Sequence, residues 1–295
     1  MPPRDILLAI IVAGIWGLNF VAAHWAVAEM PPLLVAGLRY VIAVLPAIFL
    51  VKRPRVALSI LVDYGLFVGA GQFGLLFSAI KLGMPAGLAS MVVQIQVFLS
   101  IGLAVLFLGE RPSRSTLIGA LIAFGGIGVI AVERLEGAAL LPLLLTLAAA
   151  ASWGLANLIT KKAGRIDMLA FVVWSSLLPP IPLFALSLML DGPGAWSLGL
   201  TNLTLLGIGS LLFIGWAGTI VGYGGWSMLL SRHPASTVAP FALLVPVTGM
   251  LASAALLGET ISGLEALGAV LVFLGLLTHV FGPRPRSVAT SSPRP

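Results

Sequence analysis

Cysteine is missing from all 295 residues, which removes disulfides, thiolate metal ligands and thiol nucleophiles at a stroke. Charge is nearly as scarce. Only 9% of residues are charged against 59% hydrophobic, and the mean hydropathy is +1.12; a soluble domain needs more charge than this to stay dissolved. No G-x-x-x-x-G-K-[ST] phosphate loop occurs, which argues against an ATP-driven pump. The ten carboxylates, Asp5, Glu29, Asp63, Glu110, Glu133, Glu136, Asp167, Asp191, Glu259 and Glu265, all fall at expected span ends or in connections. An intramembrane aspartyl protease would need two of them in mid-membrane. His24, His233 and His279 also lie toward span ends, giving neither a Ser–His pair at matching depth nor a metal-ligand spacing. No enzyme activity, cofactor or metal is expected.

The chain is rich instead in continuous apolar runs, each near the 20 or so residues that cross roughly 30 Å of hydrocarbon. Ten are expected, at about 5–26, 32–51, 61–81, 86–108, 114–132, 139–160, 168–190, 203–229, 235–257 and 262–281. They are unbroken rather than alternating, and about twice the length of a barrel strand, which excludes a β-barrel. The first run is too long for a signal peptide and lacks a clear small-residue cleavage site, so it reads as a retained span. The short connections leave no room for a soluble domain. Residues 282–295, rich in Pro, Ser and Arg, have nothing to bury and read as a disordered tail.

The net charge of +6 comes from position rather than from a polyanion partner. With ten spans and a cytoplasmic N-terminus, thirteen of the sixteen Lys and Arg residues face the cytoplasm, only Lys81 and Arg134 face outward, and Arg39 lies within a span. This bias sets both termini in the cytoplasm. Membrane lipid headgroups are the expected charged partners, and nucleic acid is not expected.

The second half repeats the first. The 42 residues starting at Pro85 align without a gap to those starting at Pro234, a shift of 149 that superimposes Gly109 on Gly258, Glu110 on Glu259 and Gly119 on Gly268. AGIWGLNF likewise matches ASWGLANL. Five spans per repeat force the second copy into the membrane upside down, the arrangement through which secondary transporters exchange inward- and outward-open shapes. The expected fold is therefore an all-α integral membrane protein of ten transmembrane helices, with repeats at 1–135 and 136–281.

Polar groups in hydrocarbon are costly unless they face a cavity or a partner. Gln94 and Gln96 stand about 200° apart on a helix and so should not share a face. One edge would line a cavity, with Gln94 preferred, while the other stitches helices together. Asn19, His24 and Gln72 are further polar candidates, with Asn157, Trp153 and Tyr223 in the second half and Trp16 and Trp216 divided between cavity lining and helix packing. Arg39 would either receive a substrate carboxylate or be satisfied by backbone carbonyls, lipid phosphate or Glu29. Pro240 and Pro246 interrupt the ninth span and free carbonyls there. The small-residue runs GALIAFGG and GAVLVFLG, in the fifth and tenth spans, suit close helix packing and could form a homodimer face.

WGLNF at 16–20, MPPLLVAGLRY at 30–40, GMPAGLAS at 83–90, GER at 109–111, TIVGYG at 219–224 and APFALLVPVTG from 239 together resemble the EamA family of the drug/metabolite transporter superfamily. Within it the chain is most similar to bacterial EamA- and YddG-type amino-acid exporters. The resemblance implies a multi-pass inner-membrane exporter with a central cavity and a small-molecule substrate such as an amino acid, aromatic or cysteine- and O-acetylserine-like. Carried over by position, it favours Asn19, Gln72, Gln94, Trp153, Asn157, Tyr223 and Pro246 as substrate-binding residues. The alternatives are efflux of drugs or organic cations, and a structural membrane protein that transports nothing.

Overall fold

The computed structural model describes residues 1–109, 111–136, 140–164 and 166–282. Apart from Gly282, the expected disordered tail lies outside these residues, as does Glu110. Among the described residues there is no strand, and nine helices are long and apolar enough to cross a membrane. We number the spans 1 (Pro3–Glu29), 3 (Leu58–Lys81), 4 (Ala86–Leu108), 5 (Arg114–Glu136), 6 (Leu140–Ala163), 7 (Met168–Leu190), 8 (Leu205–Arg232), 9 (Ala239–Leu257) and 10 (Gly263–Phe281). Span 2, Pro32–Ala47, completes the ten and is shorter than its sequence suggested. Beyond Ala47 the chain turns toward Pro54, which cannot donate to a continuing helix.

One connection is itself ordered. Gly192–Thr201 forms a helix where only a loop was expected, entered through Gly192 at φ +78°. The Trp196 ring packs edge-on against Phe184 at 5.3 Å and its Nε1 donates to Ser187 Oγ at 3.0 Å, which folds this helix onto the end of span 7. The Trp therefore anchors to protein.

The two halves bend alike. Span 3 widens into a π-helical stretch at Gly65–Phe73, and span 8 does the same 148 residues later at Phe213–Val221. Span 4 tightens into a 3-10 turn at Val93–Ile95, and span 9 tightens at Ala239–Leu243. Spans 4 and 9 both stop at a left-handed glycine, Gly109 (φ 67°) and Gly258 (φ 65°), a conformation that only glycine takes without a steric penalty.

Spans 5 and 10 lie side by side. A Cβ added to Gly119 would sit 2.5 Å from the Gly275 carbonyl oxygen, and one on Gly126 would sit 2.5 Å from that of Gly268. Gly119, Gly126, Gly268 and Gly275 of these two small-residue runs thus pack against each other within the chain, while a Cβ on Gly125 would meet nothing within 4 Å. Small residues also let span 1 approach its neighbours, with Ala9, Ala13, Ala23 and Ala26 fully buried. Large apolar side chains such as Leu106, Leu121, Ile181 and Met189 point outward, as a lipid-facing surface requires.

Ten crossings bring the first and last helical residues to one end of the bundle, here called the terminal end. The opposite end is the far end. There the Glu29 carboxylate accepts from Thr204 N at 2.9 Å, at the start of span 8. Glu259 accepts from Ala86 N and Gly87 N at 2.6 and 3.0 Å, at the start of span 4. Both carboxylates sit where a helix N-terminus presents unpaired N–H groups and partial positive charge, and both join one repeat to the other. Lys81 Nζ also donates to the Val27 carbonyl at 2.5 Å, tying span 3 to the end of span 1.

Candidate functional site

Widening a helix by one residue per turn misaligns its backbone hydrogen bonds, so π-helical stretches leave carbonyls to be met from outside. Ser152 Oγ of span 6 donates to the Phe67 carbonyl at 2.8 Å, and Trp16 Nε1 of span 1 donates to the Gly218 carbonyl at 3.0 Å. Span 6 is thus pinned to span 3, and span 1 to span 8, at mid-bundle without filling the space between the two pairs. What remains is a cavity of about 540 Å³, within the usual range for a small-molecule site. Its lining runs from the middle of the bundle to Thr160, Met168, Leu230 and Val280, near the terminal ends of spans 6, 7, 8 and 10.

Most residues singled out from the sequence meet here. Trp16, Asn19, Arg39, Gln72, Gln94, Gln96, Trp153, Asn157 and Tyr223 all line the cavity. Gln94 and Gln96 were expected on different faces. The 3-10 turn at Val93–Ile95 advances about 120° per residue rather than 100°, so their separation, measured the short way, falls from about 160° to about 120°, and both reach the cavity. Gln96 also joins helices, because Asn157 Nδ2 donates to its Oε1 at 2.7 Å and to Ser100 Oγ at 3.0 Å.

Three others lie elsewhere. Trp216 is on the outer surface, 45% exposed, with its Nε1 donating to the Ile42 carbonyl at 2.9 Å. The π-helical winding turns Gly218 inward and this ring outward. Pro246 is buried against span 4, where its carbonyl accepts from Ser90 Oγ at 3.4 Å, and it is Val245 that lines the cavity. His24 of span 1 does not line the cavity either, which ends along that helix at Ala23.

Arg39 is 2% exposed and carries a cation into the cavity wall. Its Nη2 donates to Thr219 Oγ1 at 3.2 Å, and its Cζ lies 3.6 Å from the centroid of the Phe73 ring. Among the described residues none of the three partners expected for a structural arginine is present: Glu29 is engaged with Thr204, no carbonyl accepts from its guanidinium, and its burial rules out snorkelling. No Asp or Glu lines the cavity among the described residues.

A transporter-family model, that of the EamA-like transporter family, matches residues 4–132 and 140–281. The chain belongs to this family. In this EamA-like transporter the two matches correspond to two five-helix repeats, and the protein is a multi-pass protein of the inner membrane rather than an enzyme. It is 44% identical over 298 residues to a probable amino-acid metabolite efflux pump of Salmonella typhimurium strain LT2, covering 99% of this chain and 100% of that one. It is likewise 44% identical over 290 residues to a protein of the same name from Escherichia coli strain K12, covering 96% and 97%. A crystal structure superimposes with a TM-score of 0.60 at 20% identity, covering 95% of this chain and 98% of the other, which shows the shared fold.

Several lining residues of the EamA-like transporter escaped sequence reasoning. Phe20, Phe73, Phe77 and Leu276 are apolar side chains in apolar spans, indistinguishable there from lipid-facing or core positions. Tyr64 carried no expectation and His279 was read as lying toward a span end, yet both line a cavity that extends well toward the terminal end. The one available signal was spacing: Leu76 follows Gln72 at i+4, and Phe77 follows Phe73 in the same way on the adjoining side of span 3.

Proposed function

We propose that this EamA-like transporter exports amino acids and related metabolites, aromatic or cysteine- and O-acetylserine-like, from the cytoplasm by alternating access through the central cavity. Both termini are then cytoplasmic, as the distribution of Lys and Arg favours, and the cavity faces inward. The observation that carries this reading is the lining: amides, indole and phenol rings, an imidazole and the Arg39 cation, with no carboxylate among the described residues. That set suits a small polar solute and disfavours selective capture of an organic cation. The names of the Salmonella and Escherichia relatives point the same way.

Export requires the far end to part. Glu29 with Thr204, Glu259 with Ala86 and Gly87, and Glu133 with Ser262 are hydrogen bonds that cross between repeats there. Hydrogen bonds to a charged group contribute about 1.5–3 kcal/mol each, a barrier that thermal motion can cross when the terminal end gains compensating contacts. At the terminal end, span 1 stays joined to the second repeat through Asp5, whose carboxylate lies 2.7 Å from His233 Nε2 and 3.2 Å from Arg232 Nη1.

The test is counterflow by purified protein in liposomes preloaded with unlabelled amino acids, with several labelled amino acids outside and with or without a pH gradient. Saturable uptake of at least one amino acid without a gradient supports a carrier. Uptake only with a gradient supports proton coupling, and no uptake of any amino acid under either condition overturns the proposal.

A further inference from the structure

We propose that Arg39 binds the carboxylate of the solute while Asn19 and Gln72 bind its ammonium group, so that the cavity selects zwitterions over their esters and over amines. This rests on the reading of the cavity as the transport site. A guanidinium has five N–H donors in one plane. Arg39 uses one of them, toward Thr219, and both its Nε and its Nη1 are buried without a hydrogen-bond partner. Among the described residues, no carboxylate lies within 4.0 Å of its guanidinium nitrogens.

Removing a charge from water without a counter-ion is costly and is tolerated only where something offsets it. The rings of Phe73, Tyr40 and Phe77, 3.6, 5.0 and 5.9 Å from Arg39 Cζ, offset part of that cost. They do so through the faces of the guanidinium plane. The donors radiate in that plane, and four remain unused, enough for the paired contacts a carboxylate makes with an arginine.

Two further orphaned atoms have the opposite character. Asn19 Oδ1 and Gln72 Oε1 are acceptors, buried without a donor, on side chains that line the same cavity. Buried polar atoms are almost always paired; the hydroxyls of Tyr40, Ser210 and Ser253 are unpaired elsewhere, and among the side chains that line this cavity the unpaired atoms divide into donors for an anion and acceptors for a cation. A zwitterion satisfies both. An organic cation would leave Arg39 unmatched, and a simple carboxylic acid would leave the two amides unmatched.

The experiment compares acids with their methyl esters. Phenylalanine and O-acetylserine, each beside its methyl ester, are tested as competitors of counterflow in liposomes and as thermal stabilisers of the full chain in detergent. Wild type should favour acid over ester by about tenfold or more, since a site built around a buried donor rejects a ligand that leaves it unpaired. Arg39→Gln should bring that ratio to within about twofold, and Arg39→Lys should reduce it by less, because an ammonium keeps the charge and loses the fork. Asn19→Leu should weaken acid and ester alike and leave their ratio in place. A folded Arg39→Gln protein that keeps the wild-type ratio overturns the proposal. Should that variant not fold, an unchanged ratio in Arg39→Lys does the same, and a wild-type ratio near one does so without any variant. If wild type moves no amino acid yet is stabilised by acids over esters in an Arg39-dependent way, the export reading fails and the carboxylate site stands.

Discussion

Spans 3 and 8 make the same bend with different side chains. Each widens into nine residues of π-helix at matching places in the two repeats, and each has a carbonyl met by a side chain from a neighbouring span. In span 3 the partner is a small hydroxyl, Ser152, and the bend packs tightly: a Cβ on Gly65 would lie 2.5 Å from the Ser175 carbonyl oxygen. In span 8 the partner is the indole of Trp16, itself part of the cavity wall beside Tyr223 and Trp226. The same bend also delivers Thr219 to Arg39. The two repeats share backbone shape, while the chemistry of the site is built asymmetrically upon it.

Gly65→Val should have the largest effect. The new side chain meets backbone rather than a flexible group, so it should destabilise by about 3 kcal/mol, with most folded protein lost in a thermal melt in detergent. Phe213→Val, at the matching position of span 8, removes volume from a partly buried site and should cost only about 1 kcal/mol. Equal losses would mean that the two bends are equally tight.

A second pair separates structural from solute-facing amides within span 4. Gln96→Leu leaves Asn157 without its 2.7 Å acceptor and should cost about 1–2 kcal/mol in stability as well as slowing export. Gln94→Leu should leave the melting temperature nearly unchanged and still reduce amino-acid counterflow by about tenfold, a loss of about 1.4 kcal/mol in solute or transition-state binding. Unchanged counterflow of every amino acid would remove Gln94 from the site.

The smallest effects should come from the two donors to the π-helical carbonyls. Ser152→Ala and Trp16→Phe each strip one donor from a π-helical carbonyl and should each cost about 0.6–1 kcal/mol, as single polar contacts between membrane helices do. Only Trp16→Phe should also alter counterflow, because only that donor lines the cavity.

Much of this was legible without a structure. Apolar runs gave the spans, Gly109 and Gly258 marked where spans 4 and 9 stop, and an uncommon polar residue in hydrocarbon was a sound pointer to the cavity at Asn19, Gln72, Gln94, Trp153, Asn157 and Tyr223. The same rule failed at Trp216, because an indole satisfied by a nearby carbonyl on the lipid face has the same sequence signature as one facing a solute. It also missed Phe73, which carries no polar signal although its ring covers the Arg39 guanidinium.

Composition and spacing by themselves determined that the chain crosses the membrane ten times as two copies in opposite orientation, since hydropathy and helix rise depend only on local sequence and an odd number of spans per copy inverts the second. Which residues face one another was decided by the tertiary structure. Helix phase is the reason: a few residues of π-helix or a single 3-10 turn rotates everything beyond it by tens of degrees, and such local changes of winding arise from contacts such as Trp16 to Gly218 and Ser152 to Phe67 that join residues 202 and 85 positions apart.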